Sequence, residues 1–189
     1  MSGIGSRRVY TGRVVSLDVD TVAFPNGTTG ELEMVRHPGA SAVVPFLDDP
    51  HAADPRIILI RQYRYASGGY LYEIPAGRLD AGESPEACAA RELEEETGYS
   101  AARLEALTAF FTTPGFTDER IHLFLAADLT AGELSLESDE ILELHPTRVS
   151  VALEMISTGQ IIDGKTMLGV LLAAMRLERV NPLKSKSIK

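Results

Sequence analysis

Near the middle of the chain, the run Arg91–Gly98, "RELEEETG", places Glu92, Glu94, Glu95 and Glu96 in the closing turns of a helix. Ser84 suits the N-cap of that helix, Pro85 its first position and Gly98 its C-terminal stop. Carboxylates at a helix C-terminus face unpaired carbonyls, which costs about 0.3–1 kcal/mol each before their mutual repulsion is counted. At about 100° per residue, Glu92 and Glu96 lie one turn apart with Glu95 close beside them, and Glu94 points away. Three carboxylates thus share a face bordering Ala89 and Leu93, the stripe expected to pack inward. A solvated charged face is the ordinary reading of such a run. Against it stand the apolar border, the lack of basic partners four residues further on, and the repulsive helix end. A hard divalent cation resolves all three, because Mg²⁺ takes oxygen ligands, keeps several waters and is commonly shared between carboxylates and substrate phosphates.

The segments around this helix read as a sheet. "RRVYTGRVVSLDVDTVAF", the turn signal "PNGTTG" and the returning "ELEMVRH" suggest an N-terminal hairpin. "ASAVVPFL", "RIILIRQYRY" and "GYLYEIPAG" are strands of a mostly buried sheet, the last leading into a glycine-containing loop. After the helix come "LEALTAFFTT" and "RIHLFLAADL", joined by "PGFTDE", then a strand in "ILELHPTRVS". "VALEMISTG" and "KTMLGVLLAAMRLERV" read as helices, the second with an apolar stripe suited to a sheet, and "NPLKSKSIK" as a frayed tail.

Asp plus Glu number 27 against 18 Lys plus Arg, a formal charge of −9, which argues against nucleic acid or an anionic membrane as partner. A small anionic substrate stays open, since a local cation site overrides net charge. Cys88 is the only cysteine, so no intramolecular disulfide forms, and no segment is a signal peptide or membrane span. The expectation is a cytoplasmic protein.

Read from Gly77, the stretch "GRLDAGESPEACAARELEEETGY" spaces Gly77, Glu83, Arg91-Glu92-Leu93, Glu95-Glu96 and Gly98 so that it resembles the Nudix box of the Nudix hydrolase family. Only the last position departs, with Tyr99 where the family favours an aliphatic residue. The resemblance implies an α/β fold, an α/β/α sandwich of mixed sheets, with a small antiparallel β extension at the N-terminus. It also implies hydrolysis of a nucleoside diphosphate linked to another moiety, with Mg²⁺ as cofactor and Mn²⁺ as an alternative. By position, Glu92, Glu95 and Glu96 are the metal-binding and catalytic carboxylates. Glu83 and Arg91 orient them, and the carbonyl of Ala76 adds a metal contact.

"RQYRY", "LYEIPAG" and "PGFTDE", with Pro114 fifteen positions beyond Tyr99, are similar to the ADP-ribose pyrophosphatase subgroup. Within it, Arg61 and Arg64 suit bidentate phosphate contacts. Phe116 is a candidate to cover a base or ribose, and Glu119 to bind metal or hydroxyls. Glu73 either reaches a metal or ribose or forms a structural ion pair. For the general base, "ELSLESDEILEL" offers Glu137, Asp139, Glu140 and Glu143, with Glu137 or Glu140 favoured.

The division expected from the resemblance is an N-terminal dimerisation region at 1–38, a Nudix domain at 39–181 and a tail at 182–189. In a homodimer, Arg7, Arg8 and Tyr10 would approach the neighbour's substrate. The expected reaction is cleavage of ADP-ribose to AMP and ribose 5-phosphate. Another sugar nucleotide such as GDP-mannose is the enzymatic alternative, and a nucleotide-sensing module that no longer cleaves is the alternative of a different class.

Overall fold

A computed structural model describes residues 3–133 and 142–180 of the chain. The N-terminal region forms a sheet of its own from β1 (Gly3–Thr11), β2 (Ser16–Ala23) and β3 (Thr29–Arg36), all antiparallel. The expected single hairpin is therefore a three-stranded meander. The long run through "RRVYTGRVVSLDV" is broken by a turn in which Gly12 N–H donates to the Val15 carbonyl. Val and Thr on both sides of the turn hid that break from a reading based on alternation.

Two further sheets form the centre of the molecule. β4 (Ala40–Pro45), β7 (Ala76–Arg78), β8 (Tyr99–Phe111) and β9 (Arg120–Ala131) form a four-stranded sheet in the order β7-β4-β9-β8. Its central pair, β4 and β9, is parallel and the outer pairs are antiparallel, so the sheet is mixed. β5 (Arg56–Arg64), β6 (Gly69–Glu73) and β10 (Leu142–Arg148) form an antiparallel sheet in the order β10-β5-β6. Pro146 lies inside β10, a place open to proline because β10 is an edge strand.

All six residues of β4 are buried, as expected for a central strand covered on both faces. On one face Val43 packs with Phe124 and Ala126 against Ala89 and Leu93 of α1 (Pro85–Thr97). On the other, Ala42 and Val44 join Phe46, Ile57, Leu59, Ile74 and Leu123 in the main core, which α2 (Val149–Ser157) and α3 (Gly164–Val180) close. The result is helices on both sides of a β centre, the layering expected of an α/β/α sandwich.

Two polar anchors set where the helices enter. The buried Ser41 hydroxyl of β4 donates to the Pro85 carbonyl at 2.7 Å, fixing the start of α1 over the sheet. Thr166, fully buried at the start of α3, accepts from Ile74 N–H at 2.9 Å and donates to Asp163 Oδ2 at 2.6 Å. That carboxylate oxygen also accepts from Thr166 N–H at 3.0 Å, as an N-cap does. The entry of α3 is thereby tied to the chain between β6 and β7, the place where the site is built. The N-terminal sheet is tied to it as well: Val35 N–H donates to the Phe116 carbonyl, and Arg36 pairs with Asp118 of the "PGFTDE" loop.

Candidate active site

The helix carrying the glutamates forms as its end signals dictate. Ser84 Oγ accepts from Ala87 N–H at 3.2 Å. Gly98 takes φ 71°, a left-handed conformation open to glycine, and its N–H closes the helix on the Glu94 carbonyl at 2.8 Å. Along the helix Glu92 and Glu96 are buried at 8% and 2% exposure, Glu95 is half-buried and Glu94 is exposed. The helical period thus sorts the four glutamates as expected.

Two buried carboxylates need partners, and the short strand β7 supplies part of the surroundings. Glu96 Oε2 accepts from Ala76 N–H at 2.9 Å. The Glu92 carboxylate lies on Gly77 so closely that a Cβ there would sit 1.8 Å from Oε1. Glycine at this position is a space requirement: any side chain would occupy the seat of the carboxylate.

Arg91 ties the rest together. It donates through Nε and Nη2 to both oxygens of Glu83, at 2.9 and 3.0 Å. Its Nη1 reaches Glu92 Oε1 at 2.7 Å and Glu95 Oε2 at 2.9 Å, and Nη2 also reaches the Arg78 carbonyl. The i,i+4 pair with Glu95 therefore exists as one arm of a larger hub. Glu83 accepts in addition from Asp80 N–H, and the Arg91 hydrogen bonds, with that backbone bond, hold its carboxyl down at about 2. Arg91 itself is shifted upward, first by its hydrogen bonds to Glu83. Below the hub lies Cys88, fully buried, its Sγ 3.5 Å from the Gly77 carbonyl and 3.6 Å from that of Arg78. Burial pushes its thiol up to about 11.

β7 also borders a cavity of about 450 Å³ whose wall includes Arg64, Ala76, Gly77, Arg78, Glu119, Asp163 and Lys165. Cationic groups thus border a space that shares one strand with the acidic cluster. Among the residues expected at the site, Arg64 and Glu119 are in this wall. Glu119 accepts from the Thr112 hydroxyl at 2.9 Å and lies 3.5 Å from His37 Nδ1. Glu73 is 1% exposed and takes the ion-pair alternative: both oxygens bind Arg64 at 2.9 Å, and Lys165 pairs with it too. Burial would raise its pKa, but the Arg64 hydrogen bond and Lys165 outweigh that, and the net direction is downward.

Arg61 is placed elsewhere. Three residues from Arg64 on an extended strand, it faces the opposite side, stacking on Tyr70 at 4.1 Å and meeting Glu143 at 3.4 Å. Glu143, offered as a base, lies in β10 at that same remote face. Phe116 is 54% exposed and borders a second cavity with Arg7, Glu31 and Glu33. Glu137, Asp139 and Glu140 lie outside the described residues. Lys165 and Asp163 were missed from sequence, although "DGKT" before an apolar helix carries the signature of a capped N-terminus.

The donor set fits a hard divalent cation in its chemistry, since the cluster offers only carboxylate and carbonyl oxygens and one guanidinium is shared by three carboxylates. Among the described residues, no three acidic or imidazole side chains already converge as a ligand cage. Instead Arg91 Nη1 bridges Glu92 and Glu95, and Glu96 is turned onto Ala76 N–H.

The NUDIX domain model matches residues 36–166. The chain belongs to the Nudix family. Curated relatives extend the match over most of its length. The ADP-ribose pyrophosphatase of Bacillus subtilis (strain 168) is 41% identical over 86% of this chain and 86% of its own. The methanol dehydrogenase activator of Bacillus methanolicus is 43% identical over 88% and 89%. A solved structure described as an ADP compounds hydrolase superposes with a TM-score of 0.81 at 22% identity, covering 96% of both chains, and shows the same fold.

Two outcomes follow from this Nudix geometry. Gly77→Ala should leave a folded protein, by circular dichroism, whose turnover falls on the order of a hundredfold, because the Glu92 carboxylate is displaced by roughly an ångström. Wild-type turnover in that variant would show that the Glu92 position is irrelevant. Glu83 has its folded pKa depressed from 4.5 to about 2, so its stabilisation is complete above 4.5 and lost as pH falls toward 2. Urea unfolding should therefore find Glu83→Gln less stable than wild type at pH 7, with the gap closing between pH 4.5 and 2.

Proposed function

We infer that this Nudix chain hydrolyses the diphosphate bond of ADP-ribose, giving AMP and ribose 5-phosphate. The observation that carries the reading is the shared strand: β7 has the buried carboxylates of α1 seated on it and also lines the cavity that Arg64, Arg78 and Lys165 border. A diphosphate lying along Ala76–Gly77 would meet both. The Bacillus subtilis ADP-ribose pyrophosphatase supports the choice of substrate within the family.

Glu92, Glu95 and Glu96 would hold divalent cations, Mg²⁺ or Mn²⁺, with the Ala76 carbonyl as a further contact. Bound there, such ions neutralise the diphosphate, polarise phosphorus and acidify water. The protein's own part is positioning and proton transfer. Arg91 keeps the carboxylates in register, Arg64 contacts non-bridging phosphate oxygens, and Glu119 meets a ribose hydroxyl. Glu137 or Glu140 takes the proton from water as it attacks one phosphorus. The bond from that phosphorus to the bridging oxygen breaks, and the second phosphate leaves on that oxygen.

The N-terminal region, residues 1–38, is proposed as the dimerisation region, its sheet spanning Gly3–Arg36. Ile4, Val9, Tyr10 and Leu32 are exposed on it, more apolar surface than an isolated edge favours. Arg7 lies in the wall of the second cavity with Phe116, and in such a dimer it would contact the neighbouring copy's substrate. A cytoplasmic setting is proposed from the single, buried and reduced Cys88. Among the described residues no helix is long and apolar enough to cross a membrane.

Turnover of ADP-ribose, GDP-mannose and NADH by purified protein with Mg²⁺ and with Mn²⁺ tests the substrate. ADP-ribose should give the highest kcat/KM, and Glu96→Gln should lower kcat by at least about a hundredfold. A preference for GDP-mannose, or near wild-type turnover in that variant, would overturn the assignment. Sedimentation should give twice the chain mass, and Val9→Lys together with Tyr10→Lys should shift it to the monomer. A monomeric wild type would remove the dimer.

A further inference from the structure

Glu73 and its neighbours form an ion network that the family motif does not include. Buried Glu73 accepts two hydrogen bonds from Arg64 on one side and pairs with Lys165 on the other. Asp163 accepts from Lys165 Nζ at 3.1 Å while capping α3. Both cations border the 450 Å³ cavity, and both carboxylates stand beside or behind them. Two cations and two carboxylates balance in charge without a ligand.

The donor arithmetic shows that the balance is not saturation. A guanidinium has five N–H donors in a planar fork, of which Arg64 commits two to Glu73. An ammonium has three, of which Lys165 commits one to Glu73 and one to Asp163. Each cation keeps donors for a further acceptor while its position is already fixed. Lys165 carries a long flexible stem whose ordering normally opposes binding, yet here its side chain is only 13% exposed and held at both oxygens. A preorganised cation of this kind suits phosphate oxygens, since the ordering cost is met in the free protein.

We propose that Lys165 is a substrate-binding residue that contacts the diphosphate beside Arg64, and that Glu73 is the positioning residue holding both. The proposal rests on the reading of the cavity as a diphosphate site. It assigns to the α3 N-terminus a binding role apart from the carboxylates of α1. Asp163 has a double part, fixing the helix entry through Thr166 and the ammonium through Nζ.

The test uses whichever nucleotide sugar wild type turns over best, so a wrong substrate assignment appears in the wild type alone. Lys165→Met should raise KM roughly ten- to hundredfold, the usual worth of a charge-assisted hydrogen bond, with a smaller change in kcat. Lys165→Arg should recover most of that loss. Glu73→Gln should raise KM in the same direction with both cations still present. Calorimetry with a non-hydrolysable methylene-bridged analogue should show the same weakening for Lys165→Met. A lowered melting temperature with unchanged KM and analogue affinity would show a purely structural ion pair and overturn the proposal. Equal losses in the Met and Arg variants would overturn it too.

Discussion

A guanidinium carries more donors than any one carboxylate can accept, and the site depends on how Arg91 distributes them. It grips both oxygens of Glu83, bridges Glu92 to Glu95, and reaches the backbone at Arg78. Like charges a few ångströms apart repel strongly where solvent is excluded. Buried Glu92 beside half-buried Glu95 is tolerable because one rigid cation lies between them. The loop that carries Glu83 is drawn against α1 by the same contact. Loop, helix and β7 are therefore one electrostatic unit, built over the small packed cluster of Val43, Ala89, Leu93, Phe124 and Ala126.

The second unit, around Glu73, follows the opposite logic. There a buried carboxylate collects two cations, whereas at Arg91 one cation collects three carboxylates. β7 runs between these inverse arrangements and contributes little more than backbone and a missing side chain. A strand bordered by carboxylates and by guanidinium and ammonium groups suits a substrate that is itself an anion neutralised by cations. The sandwich makes this possible, because α1 follows directly on β7 while the entry of α3 is tied to Ile74, two residues before it.

Much of this was legible in the sequence because it is written in short-range spacing. Ser84, Pro85 and Gly98 bounded α1 correctly, and the helical period separated exposed Glu94 from buried Glu92 and Glu96. Most strands of the two main sheets are visible as apolar runs, but β7 is not, because "GYLYEIPAG" reads as one run while Ala76–Arg78 pairs in a different sheet from Gly69–Glu73. What stayed hidden depends on contacts distant in sequence. Glu73 and Lys165 meet across 92 positions, and nothing local to either announces the other. Arg61 and Arg64 looked equivalent in "RQYRY", but only the register of β5 against β6 and β10 decides which face each takes. The N-terminal meander was read as a hairpin because the turn at Gly12–Val15 interrupts a run whose residues favour strands on either side.

Cys88 gives the arrangement an internal witness. Its sulfur lies under the Gly77 and Arg78 carbonyls with no exposed surface, and its proton is held to about pH 11. Thiol reagents attack the thiolate, so burial and the raised proton affinity both slow their reaction with the intact protein near neutrality. Separation of α1 from β7 would uncover the sulfur. The rate at which an alkylating dye marks this lone sulfur thus clocks how often the helix and strand part company, using a chromophore attachment point that the fold already contains.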